Sequence, residues 1–286
     1  MRSLLLSLFC TIVFLTSAQE SSERKSLNKA RPKYVEFGLN VGHSYFRDLA
    51  TSPIFSTGAV NGANFHYHRF DSLKESRFGF SALSGTHGFT IGNEVSTSTF
   101  TTLQLDYGRL FPFDLISNEH YKFKFGGLLI ANFNIRSDQS LQNAGLGYEV
   151  VYNLMASAKV SRDVSRNTAK SGKFLWLIPY DWQPRKRLLS YQLNIGLVNA
   201  NVRNGYAYVN QSGLTNEFPL FADYENNLFS GFRMNAALRY TIYLHNGNAL
   251  RFSYVWDAYT TGGEVDQFEL ANHLFSAALL FDLSNW

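Results

Sequence analysis

Residues 121–136 read YKFKFGGLLIANFNIR. The odd positions are Tyr121, Phe123, Phe125, Gly127, Leu129, Ala131, Phe133 and Ile135, all apolar or small. The even positions are Lys122, Lys124, Gly126, Leu128, Ile130, Asn132, Asn134 and Arg136, a mixed set with charge at both ends. Successive side chains of a strand point to opposite faces, so this is one strand between two different solvents. It is longer than the roughly five or six residues usual in a soluble sheet, and long enough for the about 9 to 11 that cross a bilayer.

The same pattern recurs outward from this stretch. Gly231–Leu244 places Phe232, Met234, Ala236, Leu238, Tyr240, Ile242 and Leu244 on one face and Arg233, Asn235, Ala237, Arg239, Thr241 and Tyr243 on the other. Asn246-Gly247 follows, the strongest short hairpin signal, and the next strand sets Leu250, Phe252, Tyr254, Trp256 and Ala258 opposite Arg251, Ser253, Val255 and Asp257. Further strands are marked by Val35–Val41, by a short run at Phe65 and Tyr67, and by Phe78–Ala82, Leu103–Tyr107, Val150–Val160, Leu189–Leu197 and Phe275–Leu283. The reading is ten strands, or twelve if residues 166–187 hide one more and a partner for it.

Both a soluble sandwich and a membrane barrel alternate, but their polar faces differ. A sandwich shows water a face rich in Lys and Glu. Here the mixed face carries Asn, Gln, Arg, Gly, Ser and Thr, which suits a crowded, hydrogen-bonded interior, while the apolar face is aromatic-rich and nearly free of charge. Hydrocarbon demands this, since a charge on the lipid face costs roughly 2 to 4 kcal/mol at the midplane. Phe111, Phe113, Tyr121, Phe123, Trp182, Tyr240, Trp256 and Tyr259 lie near strand ends, as girdle residues at headgroup level would. An open edge in lipid would leave backbone groups unpaired, so the fold expected is all-β: a closed antiparallel up-and-down transmembrane barrel of about ten strands. The connections expected to be long are 49–62, 138–147, 203–226 and 260–268. Those at 71–76, 115–120 and 245–248 are short, as is the one near 91–96. This sorting puts both termini and most short turns at one end.

The first residues, MRSLLLSLFCTIVFLTSAQE, hold Arg2, an apolar run Leu4–Leu15 and small residues near Ala18. That is the layout of a secretory signal peptide, and the run falls short of the roughly 20 residues of a membrane helix. The domain reading is a signal peptide at 1–19, a flexible polar leader at 20–32 and one barrel domain at 33–286. Cys10 is the chain's one cysteine, so after cleavage neither a disulfide nor a thiol nucleophile is available. There are 26 Lys and Arg against 22 Asp and Glu, too mild an excess to argue for nucleic acid.

The end, LFSAALLFDLSNW, alternates Phe275, Ala277, Leu279, Phe281 and Leu283 and closes on the aromatic Trp286. It resembles the final strand of bacterial outer-membrane β-barrel proteins, although Trp286 is out of phase with the odd-numbered face. The resemblance implies export to the outer membrane of a bacterium, lipid as the surround, and recognition of this strand by the barrel-assembly machinery. It identifies no subfamily.

Several groups could carry chemistry. His66 and His68 stand two apart on one strand face, with Glu36 on the neighbouring strand as a possible third metal ligand. Ser81, Ser84 and His87 share a strand with Asp106 on the next, the residue types of a hydrolytic triad, although the placement of His87 and Asp106 toward opposite ends opposes it. Asp257 and Asp266 near the rim are isolated acids. The polar face also collects Arg77, Lys122, Lys124, Lys159, Arg233, Arg239 and Arg251 against Glu36, Asp106, Asp257 and Asp282. Buried charges must be paired, and these form either a structural ladder filling a narrow barrel or an anion-preferring path. The ladder is the preferred reading, with no catalytic, cofactor or metal residue assigned. The expected function is a non-enzymatic barrel serving envelope structure, adhesion or small-solute passage. The alternative is a lipase- or protease-type hydrolase with a site at the outer rim.

Overall fold

A computed structural model describes residues 31–70, 74–92, 94–138, 146–174, 178–204, 224–263 and 266–284. The expected signal peptide (1–19), most of the expected leader, residues 205–223 of the expected long connection and Trp286 lie outside the described residues. The strands are β1 (Lys33–Asp48), β2 (Ser52–Phe70), β3 (Glu75–Ile91), β4 (Glu94–Pro112), β5 (Tyr121–Asp138), β6 (Leu146–Asp163), β7 (Lys170–Phe174), β8 (Ile178–Trp182), β9 (Arg187–Asn204), β10 (Tyr224–Leu228), β11 (Phe232–Tyr243), β12 (Ala249–Thr260) and β13 (Phe268–Asp282). Among the described residues no helix is long and apolar enough to cross a membrane.

β1 to β6 pair in sequence, β6 pairs β9, β9 pairs β11, and β11 to β13 continue until β13 meets β1 along fifteen residue pairs, Tyr34↔Asp282 to Asp48↔Phe268. All these pairings are antiparallel, so ten strands close into a barrel with no free edge. The β1–β13 register puts Lys33 and Asp282 at one mouth, called here the terminal mouth; the other is the far mouth. At the terminal mouth Asn246-Gly247 turns β11 into β12, with Gly247 at φ 85°, a conformation few side-chain-bearing residues adopt.

β10 prolongs the line of β11 along β9. Leu228 pairs with Ala200 and Met234 with Ile195, and the break between them holds Phe229 at φ 56° and Gly231 at φ 92°. β9 carries a bulge here as well: Leu154 pairs with Val198 but Met155 with Gly196. The extra residue reverses the parity of β9. Ser190, Gln192 and Asn194 are buried below it; Asn199, Asn201 and Arg203 are buried above it.

The distribution of side chains is inverted relative to a soluble protein. Leu39, Val41, Phe65, Phe78, Leu197, Phe252 and Phe275 stand on the outer surface, each half or more exposed. Glu36, Asn64, His68, Asp106, Asn132, Asn194, Arg233, Arg251 and Asp257 are buried inside. A large exposed apolar surface around a buried polar interior is the informative departure from the usual rule, and hydrocarbon is the solvent that suits it.

Three expectations need correction. Residues 52–62 belong to β2 and not to a long loop. Their Gly, Asn and Ser content resembles a connection, but residues 57–61 pair with both β1 and β3, Gly62 likewise, and Ser52 and Ser56 pair with β1 across an irregularity. Residues 166–187 add no barrel strand, and the count of ten stands. β7 and β8 form a separate two-stranded sheet, and Arg166↔Arg185 bridges it to the β6–β9 ladder, so the segment is that hairpin running on past the barrel at the terminal mouth. Arg31 and Pro32 are not free leader: Arg31 is buried, its guanidinium donating to the carbonyls of Arg69 and Lys74.

Candidate functional site

The lumen is filled in layers. At the far mouth, Asp48 of β1 accepts from Arg136 Nη1 of β5 at 2.5 Å and from Arg203 Nη2 of β9 at 2.9 Å. Each arginine lies four strands from β1 around the ring, so both ion pairs cross the lumen. Glu149 joins them, 3.3 Å from Arg203 Nε. Just inward sits an aromatic layer. Phe46, Phe100 and Phe268 stack with centroids 5.1 to 6.1 Å apart, Tyr259 tilts against Phe268 at 6.0 Å, and His87 meets Phe46 edge-on at 5.1 Å. Tyr259 is thus an interior residue, not part of the girdle, because its odd position on β12 shares the face of Arg251 and Asp257.

Below the rings, Arg233 of β11 is fully buried. It makes a two-pronged pair with Asp257 (Nε to Oδ1 3.0 Å, Nη2 to Oδ2 2.6 Å) and reaches Asn132 Oδ1 at 3.1 Å and Gln104 Oε1 at 3.2 Å. All its polar branches are occupied, which is what a buried guanidinium requires.

The next layer holds the histidine pair. Glu36, His66 and His68 offer ligand atoms within 4.8 Å of one another, so the structure brings together the three residues weighed as possible metal ligands. Their atoms are engaged by neighbours. Glu36 Oε2 accepts from Arg251 Nη1 at 2.5 Å and lies 3.1 Å from His68 Nε2, while Asn64 Nδ2 donates to Glu36 Oε1 at 3.0 Å. His66 Nε2 meets Asp106 Oδ2 at 3.2 Å, and Arg77 Nε donates to Asp106 Oδ1 at 2.6 Å. Arginine at one end of this chain and arginine at the other make an ion-pair relay with imidazoles between the carboxylates. A dication placed among them would face Arg251 directly, so the geometry favours the ladder. Gly79 of β3 makes room for it: a Cβ there would lie 1.9 Å from His66 Cδ2.

The triad residues do not meet. Asp106 pairs with Gly79, eight positions from His87 along β3, roughly 26 Å at about 3.3 Å per residue. Ser84 Oγ is bonded to Thr101 Oγ1 at 2.9 Å, and His87 is seated among the rings. Asp257 is spent on Arg233.

Toward the terminal mouth the lumen widens into a vestibule of about 640 Å³. Lys124 and Lys159 share Glu75, and Arg239 Nη1 donates to Gln192 Oε1 at 3.0 Å. Lys122 lies exposed on its wall. Arg77, Lys122, Lys124, Arg239 and Arg251, with Glu36, His66, His68 and Asp257, line the interior cavities, and Arg233 and Asp106 are buried. Sequence reasoning missed the Asp48–Arg136–Arg203–Glu149 layer. Asp48 lies between the expected first strand, Val35–Val41, and the expected connection 49–62, Arg203 lies in the expected connection 203–226, and the β9 bulge, which turns Arg203 inward, has no simple sequence signature. Glu75 was likewise placed in a turn.

A closed antiparallel sheet, polar within and apolar without, defines a transmembrane β-barrel. Solved structures similar to it are bacterial outer-membrane barrels. One is Ail, the attachment invasion locus protein of Yersinia pestis, in complex with the heparin analogue sucrose octasulfate: 11% identity over 87% of this chain and 99% of that one, TM-score 0.32. Another is the translocator domain of autotransporter NalP from Neisseria meningitidis: 10% identity, 98% of each chain, TM-score 0.34. A third is the toluene transporter TodX of Pseudomonas putida: 8% identity, 88% and 89%, TM-score 0.28. These overlaps are loose, and the class rests on the chain's own geometry. No protein-family model matches the chain, and no curated protein matches it.

Proposed function

We propose that this chain is an exported bacterial outer-membrane barrel with a sealed lumen, both termini in the periplasm, serving the envelope as a structural or surface-contact protein and not as an open pore or an enzyme. The observation that carries this is the stack of cross-lumen layers. Asp48 is held by Arg136 and Arg203, both reaching from the wall across the lumen, and stacked phenylalanines pack against this group, Arg203 lying over the Phe268 ring. Eight to ten strands leave little interior to begin with, and these side chains occupy it. β13 turns Phe275, Ala277, Leu279 and Phe281 to lipid and ends at the terminal mouth, where the assembly machinery would read it.

Two measurements test the reading. The mature chain in detergent should migrate faster before boiling than after, as a closed barrel does. In planar bilayers it should show no steady single-channel steps. Sustained conductance of the unmodified protein would refute the sealed lumen, and a protein monodisperse in plain buffer would refute the membrane barrel.

A further inference from the structure

We propose that the vestibule at the terminal mouth is a binding site for a phosphate-bearing polyanion. The vestibule falls within the roughly 300 to 1,000 Å³ typical of small-ligand sites. Its wall carries seven Lys and Arg and four Asp and Glu. Arg77 and Arg251 are neutralised by acids outside the wall, so 5 − 4 leaves an excess of one over the whole wall, and 3 − 1 an excess of two in its deep part, where Lys124, Lys159 and Arg239 face Glu75. The excess is concentrated deep in the cavity. Arg77 and Arg251 are matched by Asp106 and Glu36, but Lys124 and Lys159 share one carboxylate. Among the described residues Arg239 bonds a neutral amide, and no carboxylate lies within 4.0 Å of its guanidinium. Lys186 rests on the ring of Tyr243, and Lys122 stands exposed at the entrance. Two of the acids, Asp114 and Glu119, are exposed at the rim, where water and salt screen them.

A guanidinium drawn out of bulk water beside other cations is stabilised by an anion that accepts its forked donors, and phosphoryl oxygens match that fork. A single carboxylate would cancel half of this deep excess, whereas a phosphate group, carrying about −1.5 to −2 charge at neutral pH, matches it. The chain's own leader is the wrong sign: residues 20–30 hold Glu20 and Glu23 against Arg24, Lys25 and Lys29. The layers above the vestibule make it a dead end, so the ligand would enter and leave by the terminal mouth. That detail rests on the sealed-lumen reading; the site itself does not.

The test is calorimetric titration of inorganic pyrophosphate into the mature, folded chain in zwitterionic micelles at low salt. Saturable binding is expected, weakening steeply with added sodium chloride. Arg239→Gln should weaken it about tenfold or more, as loss of charge-assisted hydrogen bonds does, and Lys122→Gln at the entrance should weaken it severalfold. Retained heat-modifiable migration certifies that each variant is folded. In nanodiscs, competition by phosphatidylglycerol would assign the phosphate to a lipid headgroup, and its failure to compete would assign it to a free solute. Absence of saturable binding, or binding unchanged in both folded variants, overturns the proposal. Micelles report no conductance, so this result is independent of whether the lumen is sealed.

Discussion

Arg233 of β11 and Asn132 of β5 meet across the lumen, Nη1 donating to Oδ1 at 3.1 Å. With Asp257 and Gln104 on the same guanidinium, one side chain ties four strands together from within. Replacing it leaves the Asp257 carboxylate buried without its partner. Arg233→Met is therefore expected to destabilise the barrel by about 3 to 5 kcal/mol, read as a lower midpoint of urea unfolding in micelles. Arg233→Met with Asp257→Leu should recover most of the loss, because no lone charge then remains. A single variant as stable as the parent would show that the staple contributes nothing.

The outward residues give an independent test of the solvent. Leu39 is 60% exposed. In water, an exposed Leu→Arg change would fall within about 0.5 kcal/mol of neutral. In hydrocarbon it should cost roughly 2 to 4 kcal/mol near the midplane. Leu39→Arg folded in lipid vesicles is expected to show the larger loss. A neutral outcome would mean that this row does not touch acyl chains.

Gly79 and His66 are paired in register on β3 and β2, and the histidine ring lies where a side chain at 79 would go. Gly79→Ala must push His66 away from Asp106 and Asn64, with an expected cost of about 1 to 3 kcal/mol from overpacking and broken hydrogen bonds. In a His66→Ser background the same change should cost much less. The double-mutant cycle reads that coupling directly, and purely additive losses would place the cost elsewhere.

How far the sequence carried these conclusions depends on the kind of information each needs. The face of a residue follows from parity alone, so Arg233, Arg239, Arg251, Asp106 and His66 were legible as interior residues from alternation. Pairing across the lumen is not local. That Arg233 reaches Asn132, or that Asp48 meets both Arg136 and Arg203, depends on which strands stand opposite in a closed ring and on their register. Where parity itself changes, at the bulge between Leu154 and Met155 on the β6–β9 ladder, alternation misleads beyond that point, and Arg203 was read as loop. β2 failed differently: small residues between Ser52 and Gly62 carry weak β-propensity, and neighbouring strands impose the extended form. The vestibule was half legible, its cations visible but not Glu75 or the shared cavity.

The seal at the far mouth consists of two groups with different chemistry: ion pairs that cross the lumen from β1 to β5 and β9, and a stack of rings from β13, β1 and β4. Removing the rings with Phe46→Ala, Phe100→Ala and Phe268→Ala leaves Asp48 bound to Arg136 and Arg203 above the gap. Removing the charges with Asp48→Ala and Arg203→Ala leaves stacked phenylalanines with centroids no more than 6.1 Å apart. Either set alone is expected to keep planar bilayers silent, provided heat-modifiable migration shows a folded barrel. The five changes together should open steps of measurable conductance. Because the vestibule below carries the positive excess, the opened path should favour chloride over potassium, and the reversal potential in a salt gradient reads that preference. Conductance from the ring variants alone would assign the seal to the aromatic layer. Silence from the folded five-fold variant would place the barrier deeper, at Arg233.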